Sequence, residues 1–285
     1  LYNSILSGIS LEGKEFFYNN PLNVSKDLPF KQRWSKEREG YIALSNCCAP
    51  NVTRTIAEVS NYAYNLSKEG VYINLYGSNH LNTVLLNGEK LELEQQTNYP
   101  WDGKITLKIV KAPKDAQAFF LRIPGWSQGT TIAVNGNAIN DKMVSGSYFK
   151  ITQKWKKGDV IQLNIPMPVE LMQANPLVEE IKNQVAVKRG PIVYCLESNE
   201  LPANTKVNDV ILNLNSKFTT DFIKIDSRNL LSITASSSVT SENSWNKKLY
   251  QPIPKEEGKT YSVKLIPYFA WGNQGKGEMS VWLSH

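Results

Sequence analysis

Two adjacent cysteines, Cys47 and Cys48 in the run SNCCAPN, are the side chains of this sequence with the plainest capacity for chemistry. They stand just ahead of residues 50–68, where Val52, Ile56, Val59, Ala63 and Leu66 recur every three or four positions, the spacing of one apolar helix face. Pro50 suits the first helical turn, where its missing N–H is not needed, and Gly70 suits the C-terminal stop. A thiol at a helix N-terminus sits beside roughly half a positive charge, which favours the thiolate. Such a thiolate can act as a nucleophile, a metal ligand or both. Two neighbouring cysteines can also close a strained vicinal disulfide, or be incidental thiols. A structural zinc site asks for four ligands, and no CxxC pair or histidine cluster is present to complete one.

The other reactive types are few. Cys195 lies in the apolar run PIVYCLE, where a free cysteine behaves as a small core hydrophobe. Of two histidines, His285 is the last residue and His80 sits in the polar turn GSNHLN, a surface setting. Seven tryptophans and thirteen tyrosines would suit sugar stacking, but a β-rich core of this size needs most of them for packing. Three cysteines exclude a disulfide-stapled miniprotein.

The elements that must position these residues follow from pattern. At ~150 residues per domain, 285 residues imply about two domains. With 41% hydrophobic and 20% charged residues the composition is globular, which excludes a disordered chain. No apolar run approaches the ~18–20 residues of a membrane span, so no membrane partner is expected. The net charge, 32 − 26 = +6, is scattered over pairs such as Lys156-Lys157, Lys188-Arg189 and Lys247-Lys248. A nucleic-acid face gathers its cations on one stripe, so no nucleic-acid partner is expected either. The opening LYNSILSGIS lacks a signal-peptide pattern and reads as the tail of an amphipathic helix, as in a piece of a larger protein.

From Val71 onward the pattern turns to strands: VYINLY (71–76), NTVLLNG (82–88), KLELEQQT (90–97), KITLKIV (104–110), AFFLRI (118–123), TIAVNG (131–136), YFKIT (148–152) and DVIQLNI (159–165). Asn87-Gly88 and Asn135-Gly136 predict type I′ hairpin turns, because both residues tolerate positive φ. Short strands at this spacing predict an antiparallel sandwich. After prolines at 166, 168 and 176 a second block follows: QVAVKRGPIVYCLE (184–197), DVILNL (209–214), LLSITASSS (230–238), YSVKLIPYFAW (261–271) and EMSVWL (278–283), with a polar loop expected over 236–259. The expected fold class is mainly β, two antiparallel β-sandwich domains over 71–172 and 173–285, preceded by a helical portion over 1–70.

CCAPN followed by a helix, then TNYPWDGKITLKI, FFLRIPGW, VNGNAI, WKKGDVIQLNIPM, RGPIVYCLE and IPYFAWGNQGKGEMSVWL, resembles the C-terminal half of the bacterial β-L-arabinofuranosidases, glycoside hydrolase family 127 and its relatives. YNSILSGISLEGKEFFYNNPL and the Arg33-Trp34 pair fit the same pattern, so the resemblance runs the length of the chain. It implies that residues 1–70 are the last portion of a catalytic (α/α)6 barrel and that the missing N-terminal barrel is a partner. It implies a retaining glycosidase in which the first cysteine of the pair attacks the anomeric carbon and a thioglycosyl intermediate is then hydrolysed. It also implies zinc held by three cysteines and a glutamate. Carried over by position, Cys47 is nucleophile and zinc ligand, and Cys48 is a second ligand. The third cysteine, the liganding glutamate and the acid/base glutamate belong to motifs absent from these residues. Glu37, Glu39, Glu58 and Glu69 match none of them. Tyr18, in FFYNNP, is a candidate for lining the sugar pocket or for packing beneath the barrel. The implied substrate is a plant-type glycan and the implied setting bacterial, the periplasm ahead of the cytoplasm. Two readings from other classes stay open: a non-catalytic carbohydrate-binding or interdomain β-scaffold, and an oxidoreductase using a vicinal disulfide, which no cofactor motif supports.

Overall fold

Alternating apolar and polar residues build most of this molecule. A computed structural model describes residues 1–25, 37–40, 47–203, 205–239, 249–250, 252 and 260–285. In chain order the elements are β1 (Asn23–Val24), α1 (Cys48–Glu58), β2 (Tyr64–Leu66), β3 (Val71–Ile73), β4 (Asn79–Val84), β5 (Lys90–Thr97), β6 (Lys104–Lys111), β7 (Gln117–Ile123), β8 (Thr131–Val134), β9 (Asn137–Ala138) and β10 (Ser147–Gln153). There follow β11 (Val160–Asn164), β12 (Val169–Gln173), β13 (Gln184–Arg189), β14 (Ile192–Glu197), β15 (Val210–Leu212), β16 (Thr219–Ile225), β17 (Arg228–Val239), β18 (Thr260–Pro267), β19 (Met279–Ser280) and β20 (Trp282–Ser284). The chain divides into two compact units, Thr55–Pro168 and the combination of Leu1–Arg54 with Val169–His285.

In the Thr55–Pro168 unit, one sheet runs β10-β7-β3-β2 and the other β4-β5-β6-β11-β8-β9 among the described residues. Inward residues of both, including Val71, Ile73, Phe119 and Leu121 from the first and Leu91, Leu93, Ile105, Leu107, Ile161 and Leu163 from the second, form one buried cluster. Each fully buried side chain of this kind contributes roughly 1.5–3 kcal/mol. The period of two that marks these residues in sequence is the period with which a strand turns alternate side chains to one face.

The antiparallel expectation fails at two places: β3 pairs with β7 in parallel, and β15 with β20. At Asn135-Gly136 both residues have positive φ, as the hairpin signal required. At Asn87-Gly88 only Gly88 does; its N–H closes a turn on the Leu85 carbonyl and Leu85 bonds Glu89, a longer loop than the two-residue turn expected. The single run 184–197 is two strands, because Gly190, in the left-handed region, and Pro191 after it turn β13 back onto β14, pairing Lys188 with Val193 and Arg189 with Ile192.

The helix is shorter than its apolar spacing predicted. After Glu58 the chain tightens into a 3-10 turn, Val59–Tyr62, and Tyr64 and Leu66 then pair with Ile73 and Val71. Ladder pairing outweighs the weak helical preference of Ser60, Asn61 and the tyrosines. Residues 1–54 belong with the C-terminal strands because β1 pairs with β19, while the Asn3 side chain donates to the Pro191 carbonyl and accepts from the Val193 N–H. In that unit, β1-β19-β14-β18-β17-β15-β20-β13-β12 form one connected path of strands, with β16 added on β17. The Arg33-Trp34 pair and most of the polar loop expected over 236–259 lie outside the described residues. Among the described residues, no helix is long and apolar enough to cross a membrane.

Candidate active site

Helix α1 begins at Cys48, and the Cys47 carbonyl accepts its first backbone bond, from Asn51 N–H at 3.0 Å. Pro50 falls in the first turn, so its lack of a donor leaves no bond unmade. The start of the helix is held by close packing: a Cβ at Gly8 would stand 3.0 Å from a methyl of Val52, so glycine lets the 3-10 turn Leu6–Gly8 approach the helix. No residue of α1 is fully buried, and its apolar positions Val52 and Ile56 stay partly exposed.

Both thiols of the pair are free, and their sulfur atoms lie 3.3 Å apart, within thiol hydrogen-bond distance. Cys47 is exposed and Cys48 half-buried. The neighbouring sulfur, through its hydrogen bond and then its charge, pushes the Cys47 thiol above the usual range. This works against the thiolate that the helix terminus favours, because the second sulfur is in contact.

Two ligands of tetrahedral zinc at ≈ 2.3 Å stand about 3.8 Å apart, so the observed pair fits two positions of such a centre after a small opening. It does not fill one. Among the described residues, no group of three cysteine, histidine or acidic side chains is gathered anywhere. Tyr18 is half-buried beside Phe17. Glu37 pairs with Lys276 at 2.8 Å, Glu69 accepts from the Tyr72 hydroxyl, and the Glu39 backbone bridges Phe16. Cys195 is fully buried in β14, where burial pushes its thiol well above the usual range, and His80 is exposed on β4. Cys195 thus sits in the core as its context indicated, while His80 is on the surface but in a strand and not in the turn expected.

Sequence reasoning passed over Arg38 and Glu197, charged residues left only 8% and 3% exposed. Glu197 closes an apolar strand, which was a usable signal; nothing around Arg38 marked it for burial.

Three family models divide the chain between them. Residues 1–61 match the β-L-arabinofuranosidase GH127 catalytic domain, 70–167 the GH127 middle domain, and 169–284 the family 127 C-terminal domain. The chain belongs to glycoside hydrolase family 127 and corresponds to its C-terminal portion. It is 30% identical to a non-reducing end β-L-arabinofuranosidase of Bifidobacterium longum subsp. longum, across 99% of this chain and 44% of the relative. Among solved structures, one described as a glycoside hydrolase aligns with a TM-score of 0.94 and 44% identity, covering all of this chain and 47% of its own. A GH127 β-L-arabinofuranosidase from Geobacillus stearothermophilus T6 aligns with a TM-score of 0.87 and 35% identity, over 98% of this chain and 44% of that one. The chain thus spans less than half the length of these relatives.

Proposed function

We propose that this chain supplies the thiol half of a retaining β-L-arabinofuranosidase centre acting on plant-type glycans or a related sugar. Cys47 is the nucleophile that takes the anomeric carbon, and water later releases the sugar from its sulfur. Cys47 and Cys48 would hold a zinc ion, whose bound charge keeps coordinating thiols deprotonated. The remaining ligands and the acid/base carboxylate have to come from residues outside this sequence, in the rest of the barrel. Tyr18 is assigned to the wall of the sugar pocket.

The observation that carries this reading is the sulfur pair at the start of α1, Cys47 exposed and Cys48 half-buried, within the residues that match a catalytic-domain model. The partly uncovered apolar side of α1 supports it over a self-contained binding module, which would bury such a face. In the parent enzyme, Cys47→Ser is expected to reduce turnover of a nitrophenyl β-L-arabinofuranoside by at least about 10³-fold, in keeping with loss of a covalent nucleophile. Mass spectrometry of the quenched enzyme should find one pentosyl unit on the peptide carrying Cys47. The 285-residue chain by itself is expected to be nearly inactive and to hold zinc far below one tight equivalent. Robust turnover by that chain would overturn the assignment; selective retention on polysaccharide without turnover by the parent would favour a binding module.

A further inference from the structure

Arg38 and Glu197 are buried near enough for each to act on the other's charge, yet no ion pair joins them. Arg38 spends its donors elsewhere. Its Nη2 donates to the carbonyls of Trp271 at 3.0 Å and Phe269 at 3.3 Å, and its Nε to Trp271 at 3.3 Å. The guanidinium lies 4.3 Å over the Phe17 ring, which stacks on Trp271 with centroids 4.3 Å apart and planes at 8°. Gly272 makes room for this stack: its φ is +71°, and a Cβ there would stand 2.8 Å from Phe17. On the other side, Glu197 Oε1 accepts the Gly272 N–H at 2.6 Å.

Among the described residues, three polar atoms in this cluster have no partner: Arg38 Nη1, Glu197 Oε2 and Trp271 Nε1. An ionised carboxylate left with one hydrogen bond in such a place is costly, and a guanidinium with a spare N–H close by would close a charge-assisted bond to it. With Oε2 unpartnered and burial opposing charge, this arrangement is tolerated at lower cost by the neutral acid than by the carboxylate. Both side chains meet Gly272, so an ionised Glu197 would compete with the Trp271 and Phe269 carbonyls for the Arg38 guanidinium. One proton then selects between two packings.

We propose that Arg38 and Glu197 form a proton-controlled latch, in which neutral Glu197 leaves Arg38 on the Trp271 and Phe269 carbonyls beneath Phe17, and ionised Glu197 draws it away and loosens the Phe17–Trp271 stack. The proposal is independent of the sugar chemistry assigned to the thiols. Burial is the largest influence on Glu197 and brings its pKa up to about 7, opposed by the Gly272 N–H and the Arg38 charge and reinforced by Glu200. Glu200 is itself 3.9 Å from Lys264. Glu15 and the Tyr268 hydroxyl face Arg38, and the buried Cys195 thiol shares β14 with Glu197. The Tyr268 hydroxyl is held by the Pro21 carbonyl at 2.8 Å.

The test is a titration of tryptophan fluorescence in the 285-residue chain, from about pH 5 to about pH 9 so as to bracket any shifted carboxylate. The wild type should show a reversible transition centred at about 7, and Glu197→Gln should be flat and fixed at the acid-side signal. The variant changes only residue 197, so a transition with any other origin would persist in it. A transition equal in both proteins overturns the proposal. Carboxyl carbon NMR on the wild type, which needs no variant to fold, gives the second reading. A Glu197 signal titrating in the ordinary glutamate range, or titrating high with no accompanying shift at Trp271, also overturns it.

Discussion

The Thr55–Pro168 unit keeps its charges outside, whereas the unit made of Leu1–Arg54 and Val169–His285 buries several. In the former the buried polar side chains among the described residues are Gln95, Ser127 and Thr130, all neutral. In the latter they include Arg38, Glu197 and Glu278. Glu278 is satisfied, accepting from Val207 N–H at 3.1 Å, but Arg38 and Glu197 each retain an unpartnered atom. A core of leucine and isoleucine gains stability from area alone and responds little to solvent conditions. A core holding a carboxyl and a guanidinium gains less and becomes sensitive to pH. The thiols begin in the charge-burying unit too, so both the proposed chemistry and the proposed switch lie there.

The largest effect that tests the contrast belongs to the apolar unit. Gly103 packs against the backbone of Ile165, whose N–H it accepts at 2.9 Å, and any Cβ there would overlap that carbonyl. Gly103→Ala is expected to destabilise by more than about 4 kcal/mol, the range reached by severe core strain, with the loss equal at every pH in chemical denaturation. A loss that varied between acid and neutral pH would break the division between the units.

A smaller effect should come from the charge-burying unit. The pKa of Glu197 is raised from 4.5 to about 7, so the folded state favours its neutral form. Its stabilisation is complete below pH 4.5 and is lost as pH rises through about 7. A 2.5-unit difference at 1.36 kcal/mol per unit sets the loss at up to about 3 kcal/mol, and reorientation of Arg38 would reduce it. Unfolding of Glu197→Gln should lack this slope. Wild-type stability rising over the same interval would contradict the assignment. The smallest effect is expected at Glu37 and Lys276, 44% and 78% exposed. Lys276→Ala should move the melting midpoint by an amount equivalent to no more than about 0.5–1 kcal/mol, since water screens such pairs.

Legibility in sequence followed apolar alternation. KLELEQQT was expected over 90–97 and is β5, and KITLKIV over 104–110 is β6 with one residue added, whereas the run expected over 82–88 is β4 at Asn79–Val84 and Tyr64–Leu66, expected in the helix, is β2. Short or polar strands were missed, including β9, β12 and β16, where no alternation of apolar residues marks the buried face. The thiol pair was legible by residue type and position, but its raised Cys47 pKa was not, because that depends on a sulfur–sulfur distance.

Alternation, turn residues and apolar spacing by themselves determined that this protein is mainly β and that a helix starts beside two thiols; the likeness to family 127 was carried by a series of longer motifs along the whole chain. These are local properties, carried by periods of two and of three to four residues and by motifs a few residues long. The tertiary structure alone decided that residues 1–54 join the C-terminal strands, that α1 stops at Glu58, and that Arg38 and Glu197 share one buried cluster. Each of these is a contact between segments far apart in the chain, and local pattern holds no information about which distant strand will offer the better partner.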